Sequence, residues 1–393
     1  MRGRKLIPLF ILLLPWANSF AQQSTSFEEA NTKSYALYEK GDWKALLEYG
    51  KEYAAGAPDF ILLRLRMGYA AFMLNNFAEA LKQYDAVLKK DSYNETAHYY
   101  SWRCRKYLNQ PELAGAHVKF FSKELLEKEK LSLFAVTKVG SEVSYKSTQL
   151  KFRGNGLYAR LDIHSRLRTG VHMDHAVSLY NQTIGEPKLL AVVNNNNIAI
   201  NQKEYYNKTV VNINRHWQLI GAYHYLYTPF NNFIYNSHIG LAGIKYSSYY
   251  FAVQADAIFG KMTDTSLQQL NAAFSWYPFG NLNLYSFSTG SFRNRNNRSA
   301  FNFKQVLGAK ILKFLWLEGN ATLGRFNNYF ENDALYVYNA IDPNIFKAGA
   351  TAYIGISPQL TVQLGYTFEQ RELFQSINSF NQHSITGGIS CQF

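Results

Sequence analysis

Residues 362–369, Val362-Gln363-Leu364-Gly365-Tyr366-Thr367-Phe368-Glu369, alternate apolar with polar or small side chains without a break. Successive side chains of a strand point to opposite faces, so one face carries Val362, Leu364, Tyr366 and Phe368 and the other carries their polar and small neighbours. The same period of two returns at Trp217, Leu219, Gly221, Tyr223, Tyr225 and Tyr227, and again at Phe251, Val253, Ala255, Ala257 and Phe259. Read this way, the chain after Leu131 predicts about fourteen strands (12 to 16), most of them at or beyond the 9 to 11 residues that cross a bilayer. Soluble strands average nearer 5 or 6.

The predicted connections alternate in length. Tight ones fall at Leu167-Arg168, Asn214-Arg215, Ser247-Ser248, Pro278-Phe279, Leu312-Lys313 and Ser357-Pro358, and longer ones at 182–202, 289–299 and 325–344. Short turns on one rim and long loops on the other predict an antiparallel transmembrane β-barrel. Aromatic residues make up 16% of the chain, and Tyr246, Tyr249, Trp276 and Tyr277 fall at strand ends, where an interfacial belt would lie. The last strand puts Ile385, Gly387, Ile389, Cys391 and the terminal Phe393 on one face. This ending resembles the C-terminal signature of bacterial outer-membrane barrels.

Upstream the texture changes. Between Ser26 and Lys130 the chain is rich in Ala, Leu, Glu and Lys, with helical spacing at Ala80, Leu81, Tyr84, Val87 and Leu88. Gly68, Ala80 and Tyr84 hold the small, small and aromatic positions of a tetratricopeptide repeat. A shift of about 34 residues finds Ser34, Leu46 and Gly50 before them, with Pro58 closing a helix, and Trp102, Ala114 and Val118 after them. The turns Gly41-Asp42-Trp43, Asn75-Asn76-Phe77 and Asn109-Gln110-Pro111 keep the same step. The middle unit resembles the tetratricopeptide family closely and the outer two loosely, which implies a helical solenoid (TPR) over 26–130 whose groove serves either as a partner site or as a spacer.

The N-terminus carries Arg2, Arg4 and Lys5, a short apolar run from Leu6 to Trp16, and Ser19 and Ala21. That is the pattern of a secretory signal over 1–21, with the mature chain starting near Gln22. The expected organisation is therefore a multidomain α + β protein: signal 1–21, periplasmic helical domain 26–130, barrel 135–393. Cys104 and Cys391 alone give no disulfide framework.

The formal charge of +13 divides unevenly. From Leu131 onward 22 Lys+Arg face 13 Asp+Glu, whereas Gln22 to Lys130 is nearly neutral with 16 against 15. In an exported chain this excess points to anionic lipid headgroups or an anionic solute and away from nucleic acid.

Arg293, Arg295 and Arg298, in an Asn-rich segment on the long-loop side, are the candidate anion contacts, for lipopolysaccharide phosphates or an anionic polymer. His172, Asp174 and His175 are the densest set of metal-ligand types, but on a strand His175 points away from the other two, and a solvated polar face is the expectation. Asn194 to Asn197 reads as a loop. No nucleophile motif, phosphate loop or metal signature appears, so neither enzyme activity nor a cofactor is expected.

Helical repeats followed by a barrel resemble, at the level of domain order, the repeat-bearing outer-membrane proteins associated with polysaccharide export and the YaiO-like barrels. The resemblance implies a channel for a solute or polysaccharide, with a periplasmic protein or polymer docking on the repeats. The alternative is a non-conducting outer-membrane scaffold that uses the repeats for protein–protein contact.

Overall fold

The computed structural model describes residues 26–56, 59–132, 134–185, 198–230, 233–262, 265–295, 298–373 and 378–393. The expected signal segment, Pro58 and Asn194–Asn197 lie outside the described residues.

The N-terminal part is helical: α1 (Phe27–Glu39), α2 (Trp43–Gly56), α3 (Ile61–Met73), α4 (Phe77–Lys90), α5 (Glu95–Tyr107), α6 (Pro111–Gly115), a 3-10 turn at Val118–Phe120 and α7 (Lys123–Lys128). Side chains that favour helix starts open five of them: Ser26, Asp42, Asn76, Asn94 and Ser122 each accept a hydrogen bond from a backbone N–H three residues on. Gly41, Asn75 and Asn109 all adopt the left-handed conformation between successive helices, so the step seen in the sequence is a step in backbone geometry.

Close packing explains the small residues at this step. A Cβ on Gly50 would stand 2.5 Å from the Met67 side chain, and one on Gly68 would stand 2.7 Å from the Tyr84 ring. The third unit is truncated, because α6 has only five residues before the chain turns toward the barrel. Trp102, Ala114, Val118 and Phe121 still form a small buried cluster there.

The remainder closes on itself. Fourteen strands form one antiparallel barrel: β1 (Ala135–Thr148), β2 (Arg153–Arg168), β3 (Val171–Ile184), β4 (Ile198–Asn212), β5 (Trp217–Phe230), β6 (Phe233–Ser247), β7 (Phe251–Met262), β8 (Thr265–Trp276), β9 (Leu284–Arg295), β10 (Arg298–Leu312), β11 (Leu315–Phe326), β14 (Asn344–Gly355), β15 (Leu360–Glu372) and β16 (Ser379–Gln392). A two-stranded hairpin, β12 (Phe330–Glu331) with β13 (Tyr336–Val337), stands apart from the barrel sheet. Closure pairs β1 with β16 from Lys138 opposite Gln392 to Thr148 opposite Gln382, and Phe393 donates its N–H to Thr137 O at 3.0 Å. The barrel sheet is thereby left without a free edge.

Alternation sorts the side chains as the sequence implied. Val143, Leu161, Leu179, Leu219, Phe259, Phe301, Leu307 and Ile385 stand exposed on the outside, a surface suited to hydrocarbon. Among the described residues no helix is long and apolar enough to cross a membrane.

Several boundaries differ from expectation. The stretch 289–299, read as a long loop, is mostly strand, since β9 runs to Arg295 and β10 begins at Arg298. Only 185–197 and 327–343 separate barrel strands by more than ten residues on the far rim, so the contrast between rims is smaller than predicted. Ladder hydrogen bonding continues through polar residues above the apolar band, where hydrophobic periodicity carries no signal. In the aromatic set, Trp217, Tyr246, Phe251 and Phe274 make a continuous outward belt with neighbouring rings 4.9 to 6.3 Å apart, and Trp276 stands opposite Phe251 in the register. Tyr249 and Tyr277 do not belong to it; Tyr249 bonds to the helical domain and Tyr277 is buried.

Candidate functional site

The inward side chains define a lumen, and the segment 327–343 between β11 and β14 decides what is left of it. It enters from the rim opposite the helices and folds down inside the barrel. Its tip, Asn332-Asp333-Ala334, has three successive left-handed residues, a conformation that costs roughly 1 to 2 kcal/mol per ordinary residue. The wall holds it there. Tyr206 donates to Asp333 O at 2.9 Å, Gln254 to Asp333 Oδ1 at 2.7 Å, and His224 Nδ1 lies 2.7 Å from Ala334 O. Gln254 is the fourth residue of β7 from the helix-bearing end, so the tip reaches the lower half of the barrel.

One side of this inserted loop packs on an apolar wall. Val210, Ile220, Leu226, Ile239, Leu241, Ile258, Met262 and Leu267, from β4 to β8, enclose Phe330 and Ala334 in a buried cluster inside the barrel. Gln269 fixes the Phe330 backbone from both sides, donating to its carbonyl at 2.8 Å and accepting its N–H at 3.1 Å.

The other side is polar. There Glu331 meets Lys347 at 3.1 Å and Lys304 at 3.4 Å, Tyr336 donates to Glu142, and Asn339 donates to Gln202. A cavity of about 540 Å³ remains, bounded by β1–β4, β9–β11, β14–β16 and the polar side of the loop. Its charged lining is balanced: Lys146, Arg153, Arg160, Lys304, Lys347 and Arg371 face Glu142, Glu204, Glu318, Glu331, Asp342 and Glu369. The basic excess of the C-terminal part therefore lies largely outside this cavity.

The helical domain covers part of the opposite rim. Asp85 of α4 receives a hydrogen bond from Tyr249 at 3.0 Å and pairs with His216 at 3.2 Å and Arg215 at 3.6 Å. Arg105 donates to Arg215 O, Asn212 to Glu112 O and Asn281 to Asn75 O, and Ala78 N–H donates to Gly280 O. Burial of Asp85 opposes ionisation, but the His216 hydrogen bond and the Arg215 and Arg105 charges outweigh it and hold the carboxyl below its ordinary range. These contacts fall at the turns following β4, β6 and β8. The turns after β10 and β14 take no such contact among the described residues, and they lie under the polar cavity. Loop and helical domain thus close the same side of the barrel.

The three candidate arginines share the lumen side near the far rim but not one role. Arg293 points inward and is nearly buried; its guanidinium donates to Asn327 O, Arg325 O and Asn302 Oδ1 and lies 5.6 Å from the Tyr329 ring. It clamps the base of the inserted loop. Arg295 and Arg298 sit opposite each other at the rim, Arg295 half-buried and Arg298 exposed. His172 and Asp174 share the inner face, with Asp174 between His164 (2.8 Å) and Lys208 (3.1 Å), while His175 turns outward to Tyr205. Sequence reasoning missed the inserted loop. Its signal was the aromatic content of 325–344, with Phe326, Tyr329, Phe330, Tyr336 and Tyr338 in a segment read as a long connection.

No protein-family model matches the chain, and no curated protein matches it by sequence. Solved structures similar to it include the toluene transporter TodX of Pseudomonas putida (TM-score 0.46, 8% identity, covering 71% of this chain and 92% of that one). The monoaromatic hydrocarbon channel CymD is similar at a TM-score of 0.45 and 8% identity, over 66% of this chain and 88% of its own. A bacterial polysaccharide outer membrane secretin follows at 0.40 and 7%, over 66% and 98%. No residue of this chain takes a role from them.

Proposed function

We propose that the protein is a bacterial outer-membrane channel for small polar solutes, with a tetratricopeptide-type helical domain in the periplasm as the docking site for a protein or polymer. One observation carries the reading: the inserted loop and the helical domain obstruct the same side of the barrel, leaving a polar cavity beside a rim segment that the described helices do not touch. A barrel serving only as an anchor has no need to keep that side polar and unfilled.

With the loop in place the cavity suits a small solute better than a thick polymer, so passage of polysaccharide requires the loop to leave. Purified protein in planar bilayers is expected to show small, steady, ion-permeable steps. A protein that inserts yet never conducts under any condition is the non-conducting scaffold, and the channel reading falls.

A further inference from the structure

Three of the cavity's six cations, Arg160, Lys304 and Lys347, stand with four of its six carboxylates, Glu142, Glu204, Glu318 and Glu331, Arg160 pairing with Glu142 and both lysines with Glu331. The other three gather at the outer ends of neighbouring strands. Lys146 lies near the end of β1, Arg153 begins β2, and Arg371 is next to last in β15, with only β16 between β15 and β1.

This second group is not balanced. Arg153 pairs with Asp342 and Arg371 with Glu369 at 2.9 Å, but Lys146 has no carboxylate partner among the described residues; its ammonium stands 5.2 Å from the centre of the Tyr180 ring. Glu369 receives its short hydrogen bonds from Arg371 and, at 2.6 Å, Gln382, both at Oε2, and none from Lys146. Moreover the Nε atoms of Arg153 and Arg371 are buried without a hydrogen-bond partner among the described residues. Buried donors are nearly always satisfied. Two unmatched guanidinium donors beside an unpaired ammonium call for an acceptor carrying negative charge.

We infer that Lys146, Arg153 and Arg371, with the Tyr180 ring beside them, form a binding site for a small organic anion bearing a carboxylate or phosphate at the outer end of the cavity. The inference rests on the reading of the lumen as a solute path and gives that path a substrate class. A cavity of this size is within the range of small-molecule sites. Asp342 belongs to the inserted loop and already supplies Arg153 with a carboxylate, so an arriving anion competes with the loop for the same guanidinium.

The test uses the full chain purified in detergent free of lipopolysaccharide, titrated calorimetrically with inorganic phosphate and, separately, acetate near neutral pH. Saturable binding is expected for the native chain. Lys146→Gln should weaken it by about tenfold, and Asp342→Asn should strengthen it severalfold by removing the competing carboxylate. Arg168→Gln, an exposed cation on the opposite rim, should leave it unchanged.

Equal affinities for native and Lys146→Gln protein, or no saturable binding by the native chain, overturn the site. So does binding that appears only after lipopolysaccharide is added, since the ligand is then a headgroup. The gain in Asp342→Asn guards against misreading a misfolded Lys146 variant. The two readings also fail separately: a chain that binds phosphate but never conducts keeps the site and loses the channel, and one that conducts without binding either anion does the reverse.

Discussion

Strands β5–β8 and strands β14–β16 with β1 belong to the same closed sheet, yet their inner faces differ in kind. The first set presents Ile220, Leu226, Ile239, Leu241, Ile258 and Leu267 to a loop that buries Phe330 against them. The second presents Lys347, Thr367, Glu369, Arg371, Ser384 and Lys146 to a cavity. A lumen can therefore be filled on one side like a soluble core and left wet on the other. Because apolar burial drives the loop to its side, the occupied half positions the open half.

Removing residues 329–338 and joining the ends with a short Gly-Ser linker should have the largest effect. It empties the packed half, and single-channel conductance is expected to rise severalfold, with a lower unfolding temperature in micelles. Unchanged conductance would show that the loop does not bound the path. Leu226→Ala comes next: Leu226 is wholly buried in the apolar cluster, and loss of about 2 to 5 kcal/mol is expected in denaturant titration.

The helical domain offers a sharper comparison, because it covers the rim beneath the packed half. Asp85→Asn should weaken its docking by on the order of 2 kcal/mol, read as faster proteolysis between the domains, while conductance stays the same because the path lies on the other side. Asp85 ionises below its ordinary range in the fold, so its contribution is complete above the unfolded value of about 3.9 and is lost as pH falls through the depressed one. Docking in the native chain should fail in acid and be indifferent to pH between 6 and 8 on this group's account. The smallest effect belongs to Thr367→Ala in the wet half, expected within about 0.5 kcal/mol of native stability. A loss as large as that of Leu226→Ala would show that both halves are packed alike.

Strand parity was legible throughout, and it correctly separated His172 and Asp174 from His175. Arg293 was not legible. Its strand position fixes that it faces inward, but its role as a clamp depends on carbonyls of residues 325 and 327, and these arrive only when the chain doubles back. The balanced charge of the cavity was hidden for the same reason, since composition counts charges without saying which face they occupy.

What the sequence determined by itself is whatever depends on local period: fourteen amphipathic strands, a helical repeat whose turns recur at Gly41, Asn75 and Asn109, and the outward apolar surface. It even held a trace of the packed half, because Ile239-Gly240-Leu241-Ala242-Gly243-Ile244 is apolar on both faces. Tertiary structure alone decided that residues 327–343 enter the lumen, which half they fill, and that Lys146 meets Arg153 and Arg371. Those outcomes join residues as far apart as Tyr206 and Asp333, or Lys146 and Arg371, and the wall against which the loop buries its apolar surface does not exist until the barrel closes.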